Sequence, residues 1–309
     1  MKSCPFCGSD EFSSTLIVHE KLLGKGGNFP YCVCEKCGSM YLSQVPNDLS
    51  EYYNNSEYYS CNRNESLLRN FIVKYSFEQS GIIPSFLQFF MIVDQYSSNL
   101  QKVTKCKDVR LLDVGSGAGV NLNCIKGIGF ENLLGVDPYI DKDIERPVRV
   151  LKTDLPNLDH TLKFEVIIFN HSLEHMNNPK QQLTEAKNRL SEEGVIIVSL
   201  PIVSKYTLDK FGENWVGIDA PRHLSIPSFA GFNILVEQVG LKLSRYDFYS
   251  GPGNFINSVR YRENKKIHSA GTRDLIDIFL NPAFYYYRHI SKKLSKSDKG
   301  GAANFFLKE

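Results

Sequence analysis

The sequence predicts an α/β protein in which a parallel sheet carries helices on both faces, with a small cysteine-rich module before it. Two observations predict the sheet: short apolar runs alternate with amphipathic stretches from about residue 108 onward, and three successive runs are followed by an aspartate. Buried Val/Ile/Leu runs that alternate with helices are typical of parallel strands covered on both sides. A third observation, two Cys-x-x-Cys-Gly motifs near the beginning, predicts the module.

The bulk composition excludes several classes of protein. The chain has 309 residues, and its 36 Lys and Arg against 34 Asp and Glu leave a net charge of +2. This balance provides no overall attraction to nucleic acid or to an anionic membrane. The opening segment "MKSCPFCGSD" has no apolar signal core, and "IDIFLNPAFYYY" is too short and too polar to span a bilayer. We therefore expect a cytoplasmic protein.

Two cysteine pairs in residues 1–45 predict a zinc ribbon. The motifs "CPFCG" and "CEKCG" share a spacing that lets both thiolates turn onto one metal. Four thiolates close a tetrahedral shell with no open position, which is typical of a structural Zn²⁺ site. The expected ligands are Cys4, Cys7, Cys34 and Cys37. Cys32 is an alternative ligand, and four free buried thiols are the alternative to a metal site.

Residues 46–107 are expected to form a helical and aromatic connector. Its first part is rich in Tyr and Asn, and we favour packing between domains over a substrate-lining role for Tyr52, Tyr58 or Tyr59. Apolar residues at helical spacing over 66–100 predict helices that lead into the main domain.

Residues 108–309 are predicted to form the main domain, in which strands and helices alternate. Strands are indicated in order by "VRLLDVG", "NLLGVDP", "PVRVLKTDL", "FEVIIFN", "GVIIVSLP" and "LKLSRYDFYS", and a seventh by "ANFFLKE". Helices are indicated by "GVNLNCIKGIG", "NPKQQLTEAKNRLSEEG" and "IPSFAGFNILVEQVG", with a helical insertion at about 260–300. Ligands of such sheets bind beyond the carboxyl ends of the strands, near the point where the strand order reverses.

The loop after the first of these strands, "LLDVGSGAG", indicates the class of ligand. Gly115, Gly117 and Gly119 form G-x-G-x-G rather than the G-x-G-x-x-G of dinucleotide-binding folds, and Asp113 precedes them. A pyrophosphate prefers bare backbone N–H groups with no negative charge nearby. S-adenosylmethionine (SAM) has no phosphate, and its ammonium group suits a nearby acid. The loop therefore favours SAM over a nicotinamide dinucleotide.

Two further acids support an adenosine ligand. Asp137 ends the second strand, where a carboxylate can accept hydrogen bonds from both ribose hydroxyls. Asp154 ends the third strand, where a carboxylate can accept from the adenine amino group. Solvated loop acids on a generic α/β fold are the alternative, but three acids at three successive strand ends favour one shared ligand.

Together these motifs resemble those of class I SAM-dependent methyltransferases over about residues 108–250. "LLDVGSGAG", "GVDP", "TDLP", "FNHSLEHMNNP" and "GVIIVSLP" occur in the order that this family shows. The resemblance implies a Rossmann-like seven-stranded methyltransferase sheet whose glycine loop binds the methionine part of SAM. It also implies cofactor contacts from Asp137 to the ribose, from Asp154 and Leu155 to the adenine region, and from Asn170 after the fourth strand.

A subgroup of this family is similar in two further segments. "HSLEHMNNP" followed by "PRHLSIPS" resembles methyltransferases associated with sugar and surface-polysaccharide biosynthesis, many of which carry an N-terminal cysteine ribbon. The chain is also similar to O-methyltransferases of ubiquinone synthesis, which have an acid where this chain has His171. That departure argues against their metal-assisted mechanism here.

Three histidines are candidates for a general base. Methyl transfer to a hydroxyl needs a group that removes the hydroxyl proton, and imidazole suits this work near neutral pH. His171 and His175 flank the end of the fourth strand, and His223 follows the fifth. For His175, a structural alternative is a hydrogen bond with Glu174 that orients the loop.

The segment "FGENWVGIDAPRHL" offers two candidates for substrate binding. Trp215 is expected to stack on a sugar or to cover the cofactor, with a core anchor as the alternative. Arg222 is expected to hold a phosphate of a nucleotide-sugar or of a lipid-linked substrate.

The segment 274–299 combines an aromatic first half with a basic second half. It suggests peripheral contact with an anionic membrane, but a packed helix or a dimer contact is the favoured interpretation because the apolar part is short.

The sequence thus predicts an enzyme that methylates a hydroxyl, or a carbon, of a sugar, nucleotide-sugar or glycan-type acceptor with SAM. One alternative is an RNA base methyltransferase that grips RNA with its zinc ribbon, although the ribbon has no dense patch of cations. The other is a zinc-ribbon scaffold that binds SAM without turnover. The acceptor and the oligomeric state are left open.

Overall fold

The computed structural model describes residues 3–53, 67–78, 94–249, 251–265, 282–296 and 300–309. The chain divides into two compact units. The first unit comprises Met1–Asn55, Leu173–Leu183 and Ser199–Phe305, and the second comprises Ser56–Ser172, Thr184–Val198 and Phe306–Glu309. Both units combine segments that are distant in sequence, whereas the predicted domain boundaries at 45 and 107 assume consecutive segments and remain predictions.

The described elements are named in chain order. The strands are β1 (Phe12–His19), β2 (Asn28–Cys34), β3 (Met40–Leu42), β4 (Leu111–Val114), β5 (Leu133–Val136), β6 (Arg149–Leu151), β7 (Phe164–Asn170), β8 (Leu190–Pro201), β9 (Ser225–Ile226), β10 (Lys242–Tyr249) and β11 (Ala302–Lys308). The α-helices are α1 (Leu67–Glu78), α2 (Gln95–Val103), α3 (Val120–Lys126), α4 (Pro179–Asn188), α5 (Lys205–Phe211), α6 (Phe229–Val239), α7 (Pro252–Arg262) and α8 (Pro282–Lys296).

Seven strands form the central sheet, in the order β10-β11-β8-β7-β4-β5-β6. Strand β4 pairs in parallel with β5 on one side and with β7 on the other, and β5 pairs in parallel with β6. The chain adds strands in one direction from β4 to β6 and in the other from β7 onward, so the order reverses beside β4. The predicted α/β sheet is confirmed, including its seventh strand near the end of the chain, although the sheet is mixed rather than wholly parallel.

The second unit has its own apolar core. All four residues of β4 are buried, which accounts for the continuous apolar run in the sequence. Leu111 packs in one cluster with Leu122 of α3, Val166 of β7 and Ile197 of β8. The core therefore holds the carboxyl end of β4, where the glycine loop begins, on a rigid base.

The first unit contains a second, smaller sheet with the order β1-β2-β3-β9. β1 and β2 pair antiparallel over most of their length, and β3 pairs antiparallel with β2. The fourth strand was not expected: β9 pairs Ser225 with Tyr41 and Ile226 with Met40 of β3. Strands of the cysteine ribbon are thus joined directly to the segment that follows His223.

Helix α8 lies within the segment 274–299, for which a packed helix or a dimer contact was favoured over contact with a membrane. Phe284 and Leu294 are buried, and Leu294 belongs to the apolar core of the first unit. Burial of these side chains favours the packed-helix interpretation of this part of the segment. No described helix combines the length and apolar character that crossing a membrane requires. Residues 274–281 and 297–299, together with Tyr58 and Tyr59, lie outside the described residues.

Candidate functional site

The loop after β4 depends on three glycines in the left-handed backbone region. Gly115, Gly117 and Gly119 have φ values of +78°, +55° and +77°, which other residues rarely adopt. A Cβ at Gly119 would also lie 2.9 Å from Cγ2 of Val150. Both constraints explain the G-x-G-x-G spacing, because a side chain at these positions would be strained.

Asp137 fixes the same loop from the end of β5. Its Oδ2 accepts a hydrogen bond from the N–H of Gly117 at 2.8 Å, and its Oδ1 accepts from the N–H of Tyr139 at 2.8 Å. The structure therefore brings two predicted cofactor residues into direct contact. The carboxylate thereby fixes the conformation of the glycine loop. The loop lies at the point where the strand order reverses, which is where such sheets bind ligands.

Asp113 is a buried acid on β4. Its side chain is 2 % exposed, and the Tyr96 hydroxyl donates a hydrogen bond to its Oδ2 at 3.1 Å. Burial raises the pKa of Asp113 to about 7, with the charge of Asp137 as a further cause. A buried carboxylate is stabilised by a cation beside it. These residues therefore fit SAM, whose ammonium group would supply that charge, better than they fit a pyrophosphate.

The other predicted cofactor residues lie at strand ends of the second unit. Asp154 follows β6, and its Oδ1 accepts hydrogen bonds from the backbone N–H and the side-chain amide of Asn157. Leu155 is buried beside it, and half-buried Asn170 ends β7. The predicted contacts of these three residues with the cofactor remain predictions.

A group of histidine and carboxylate side chains lies in the first unit. The rings of His175 and His223 are 4.6 Å apart, centroid to centroid, and nearly perpendicular. Nε2 of His223 lies 3.9 Å from Oε1 of Glu174 and 3.9 Å from Oδ2 of Asp219. A hydrogen bond from Glu174 to His175 was one alternative at the level of the sequence and remains a prediction, whereas the structure places the Glu174 carboxylate beside His223.

Backbone carbonyls fix the tautomer of both rings. Nδ1 of His175 lies 2.9 Å from the carbonyl oxygen of Arg222, and Nδ1 of His223 lies 2.9 Å from that of Gly217. A carbonyl oxygen only accepts hydrogen bonds, so each Nδ1 carries the proton that it donates. When the rings are neutral, Nε2 of each is therefore an unprotonated base.

The two histidines differ in their tendency to accept a proton. Burial lowers the pKa of His175 to about 4, and the neighbouring His223 contributes to this shift. His223 has the carboxylates of Glu174 and Asp219 3.9 Å from its Nε2. Because His175 is a weak base, His223 is the candidate base of the pair.

Ligand atoms of Glu174, His175 and His223 lie within 4.8 Å of one another, which raises the question of a metal. Two atoms bound to one ion at about 2.0–2.1 Å in a tetrahedral shell would lie about 3.3 Å apart. The 3.9 Å between His223 Nε2 and Glu174 Oε1 is wider than that. We interpret these side chains as an acid–base group.

His171 is exposed in the second unit and has a φ of +53°. Left-handed backbone in a residue other than glycine is uncommon and costs conformational energy. The predicted role of His171 as a base remains a prediction.

Arg222 does not occupy the position expected of a phosphate ligand. Its side chain is 1 % exposed, and its guanidinium forms ion pairs with Asp219 and, at 3.4 Å, with Glu20. Two carboxylates already compensate the charge inside the protein. The arrangement favours a structural role over the predicted contact with a substrate phosphate.

Trp215 is also buried, within the apolar core of the first unit. Its indole N–H donates a hydrogen bond to Oδ1 of Asn254 at 3.1 Å. A ring with both faces packed cannot stack on a sugar in this conformation, so the structure favours the core-anchor alternative.

The four predicted zinc ligands converge. Sγ of Cys4 lies 3.6 Å from that of Cys37, and Sγ of Cys7 lies 3.5 Å from that of Cys34. Tetrahedral coordination with Zn–S bonds of about 2.3 Å requires about 3.8 Å between sulfurs, so the four thiols fit Zn²⁺. Cys32 lies outside this group and contacts Thr15 instead. Hydrogen bonding with Cys4 lowers the pKa of Cys37 to about 5.

Several residues of these sites were not identified from the sequence. Tyr53 places its hydroxyl 3.1 Å from Nδ1 of His175, and Tyr96 contacts Asp113. Asp219 precedes Arg222 by three residues, a local spacing that could have indicated the ion pair. Glu20 precedes Arg222 by 202 residues, and no local pattern predicts a contact at that separation.

A comparison with family models agrees with these features. A family model described as a methyltransferase domain matches residues 71–245, which is more than half of the chain. Among solved structures, the chain is similar to the cyclopropane synthase MmaA2 from Mycobacterium tuberculosis, with 15 % identity, coverage of 70 % of this chain and 83 % of that chain, and a TM-score of 0.44. The chain is also similar to a SAM-dependent methyltransferase from Archaeoglobus fulgidus. The identity is 17 %, the match covers 77 % of this chain and 99 % of that chain, and the TM-score is 0.44.

The plantazolicin methyltransferase BpumL is a third similar structure, with 17 % identity, coverage of 84 % and 88 %, and a TM-score of 0.43. No curated protein matches the chain. The segment matched by the family model contains the glycine loop, the three aspartates and the histidines described above. The chain therefore belongs to the methyltransferase-domain family and is a SAM-dependent methyltransferase.

Proposed function

We propose that this enzyme methylates a hydroxyl of a sugar, nucleotide-sugar or glycan-type acceptor, and that His223 is its general base. The observation that carries the proposal is the position of His223 Nε2, 3.9 Å from the carboxylates of both Glu174 and Asp219. A hydroxyl becomes a nucleophile when a base takes its proton, and two carboxylates stabilise the imidazolium that then forms.

When bound, SAM supplies a methyl group that is already activated as part of a sulfonium. The chain's part is to hold both reactants and to remove the proton. Asp113 would hold the ammonium group, Asp137 the ribose hydroxyls, and Asp154 with Leu155 the adenine. These assignments follow from the strand ends at which the residues lie.

His175 has a positioning role in this proposal. With a pKa of about 4 it is uncharged at neutral pH and is a weak base. Its ring packs nearly perpendicular to the His223 ring, while its Nδ1–H donates to the carbonyl oxygen of Arg222. This contact holds the backbone next to His223 and so orients the proposed base.

The sugar class rests on the resemblance of "HSLEHMNNP" and "PRHLSIPS" to methyltransferases of polysaccharide synthesis. The Cys4, Cys7, Cys34 and Cys37 group supports a structural Zn²⁺. Free thiols of this kind persist in a reducing compartment, which supports a cytoplasmic location as a further part of the proposal.

Replacing His223 tests the proposed base. We expect His223→Gln to lower kcat/KM by about 10²- to 10⁴-fold, because the acceptor proton loses its base. The dissociation constant for S-adenosylhomocysteine (SAH) should stay within about twofold, since the predicted cofactor residues are unchanged. Steady-state kinetics with labelled SAM and calorimetric titration with SAH measure these two quantities.

The control is His19→Gln, because His19 is exposed at the end of β1. This variant should retain wild-type kinetics. Full activity of His223→Gln together with loss of activity in His171→Gln would contradict the assignment and identify His171 as the base.

A further inference from the structure

A cavity of about 500 Å³ lies in the first unit, beside the cysteine ribbon. This volume falls within the range of about 300–1,000 Å³ that is common for small-molecule sites. One wall comes from the ribbon, with Tyr41 and Asp10, and the other from the segments Asn177–Asn178 and Leu224–Ser225. The cavity is therefore built by three segments that are distant in sequence.

The walls of this cavity continue directly into the proposed acid–base group. Leu224 and Ser225 follow His223 in the chain, and Asn177 follows His175 by two residues. The N–H of Leu224 donates to the carbonyl oxygen of Glu174 at 2.8 Å, and the N–H of Leu42 donates to the carbonyl oxygen of Leu224 at 2.9 Å. Backbone hydrogen bonds thus tie the ribbon, the cavity wall and the histidine segment together.

The lining of the cavity combines polar and apolar residues and carries almost no charge. Among its ten lining residues, Asp10 alone has a charged side chain. Asn177, Asn178 and Ser225 supply groups that both donate and accept hydrogen bonds, which matches sugar hydroxyls. Recognition of phosphate requires Arg, Lys or a cluster of N–H donors, and a carboxylate such as Asp10 repels it.

Ser225 is a second observation that bears on a ligand here. The residue lines the cavity and is 3 % exposed, and its Oγ is fully buried with no hydrogen-bond partner among the described residues. A buried hydroxyl without a partner costs about 1–3 kcal/mol. Rotation of this short side chain towards the cavity would let the hydroxyl bond a ligand and remove that cost.

We propose that this cavity binds the methyl acceptor, and that the acceptor's sugar carries no phosphate at this position. The inference rests on the proposed function and narrows it, because it favours a neutral or amine-bearing glycan over a nucleotide-sugar. It also assigns the cysteine ribbon a role in acceptor recognition, through Tyr41 and Asp10. Asn177 and Ser225 are the residues that bind the acceptor hydroxyls.

Binding measurements on SAH-saturated protein test this inference. The probes are a set of neutral oligosaccharides, a glucosamine-containing oligosaccharide and UDP-glucose, each titrated by calorimetry or followed by saturation-transfer NMR. We expect a phosphate-free glycan to bind more tightly than UDP-glucose. Asn177→Ala and Ser225→Ala should each weaken its binding by about three- to tenfold, as loss of one hydrogen bond does.

The matched control is Asn188→Ala, an exposed asparagine at the end of α4, which should bind glycan as the wild type does. Tighter binding of UDP-glucose, unchanged glycan affinity in both cavity variants, or no glycan binding by protein that binds SAH would each overturn the inference. Failure to bind SAH would instead contradict the predicted cofactor site, so the two failures are distinguishable.

Discussion

At the scale of single residues, Asp113 links stability to cofactor binding. The carboxyl is buried on β4 and has a pKa of about 7, because burial disfavours its charge. Tyr96 supplies one hydrogen bond, which compensates only part of the lost hydration. The free enzyme therefore holds an acid that is destabilising when ionised, and the ammonium group of SAM is the partner that would relieve this.

The Asp113→Asn variant tests this account through the pH dependence of its stability relative to wild type. The folded-state pKa of about 7 lies above the ordinary value of 3.8, so stability contributed by the protonated acid is lost as pH rises from about 4 through 7. The cost to the wild type above pH 7 is on the order of 4 kcal/mol. We expect the Tm of the variant, relative to wild type, to be higher at pH 8 than at pH 5.

The same substitution should weaken SAH binding, because the ammonium group loses its carboxylate. Asp108→Asn, at an exposed aspartate near β4, is the control and should change neither the affinity nor the pH dependence of Tm. Equal Tm differences at pH 5 and pH 8 would show that Asp113 is ionised in the folded protein at both values.

At the scale of elements, the two-residue strand β9 connects the cysteine ribbon to the segment that carries His223. It pairs with β3 through Met40 and Tyr41, and one residue, Leu224, separates it from His223. Glu20 after β1 reinforces the connection, since its carboxylate pairs with Arg222. The ribbon thus supports the backbone that carries the proposed base.

Removal of the metal tests the role of the ribbon. Structural zinc contributes about 10–16 kcal/mol in zinc-finger peptides, so Cys37→Ser should lose the bound zinc, lower Tm and abolish methyl transfer. Metal analysis of purified protein, thermal unfolding and activity measure the three effects. Cys32→Ser should retain one zinc per chain, because Cys32 lies outside the sulfur group. Loss of zinc in Cys32→Ser but not in Cys37→Ser would contradict the ligand assignment.

The sequence predicted those elements whose signals are local. The glycine loop, the strand-end aspartates and the cysteine pairs follow from spacing within a few residues, and the structure brings Gly117 and Asp137 together as that spacing suggests. β9 was missed because two residues carry no periodicity. Arg222 was assigned to a phosphate because its partner Glu20 is too distant in sequence to be recognised.

At the scale of the whole molecule, the methyltransferase is assembled from two units with separate cores. The second unit contains the glycine loop and the three aspartates, while the first contains the cysteine ribbon, the histidine group and the cavity beside the ribbon. Each unit draws on segments that are distant along the chain. Trp215 and Arg222 are buried in the first unit, and we propose that Asn177, Ser225 and their neighbours recognise the acceptor instead.

The central claim is that the enzyme places a methyl group from SAM on a sugar oxygen. Its most direct test is incubation with SAM carrying a ¹³C-labelled methyl and the phosphate-free glycan that binds best, followed by NMR of the product. The account predicts one ¹³C methyl ether on the glycan for each SAH formed, and its loss in His223→Gln. Label on a carbon or on RNA, or no transfer by protein that binds both ligands, would contradict the account.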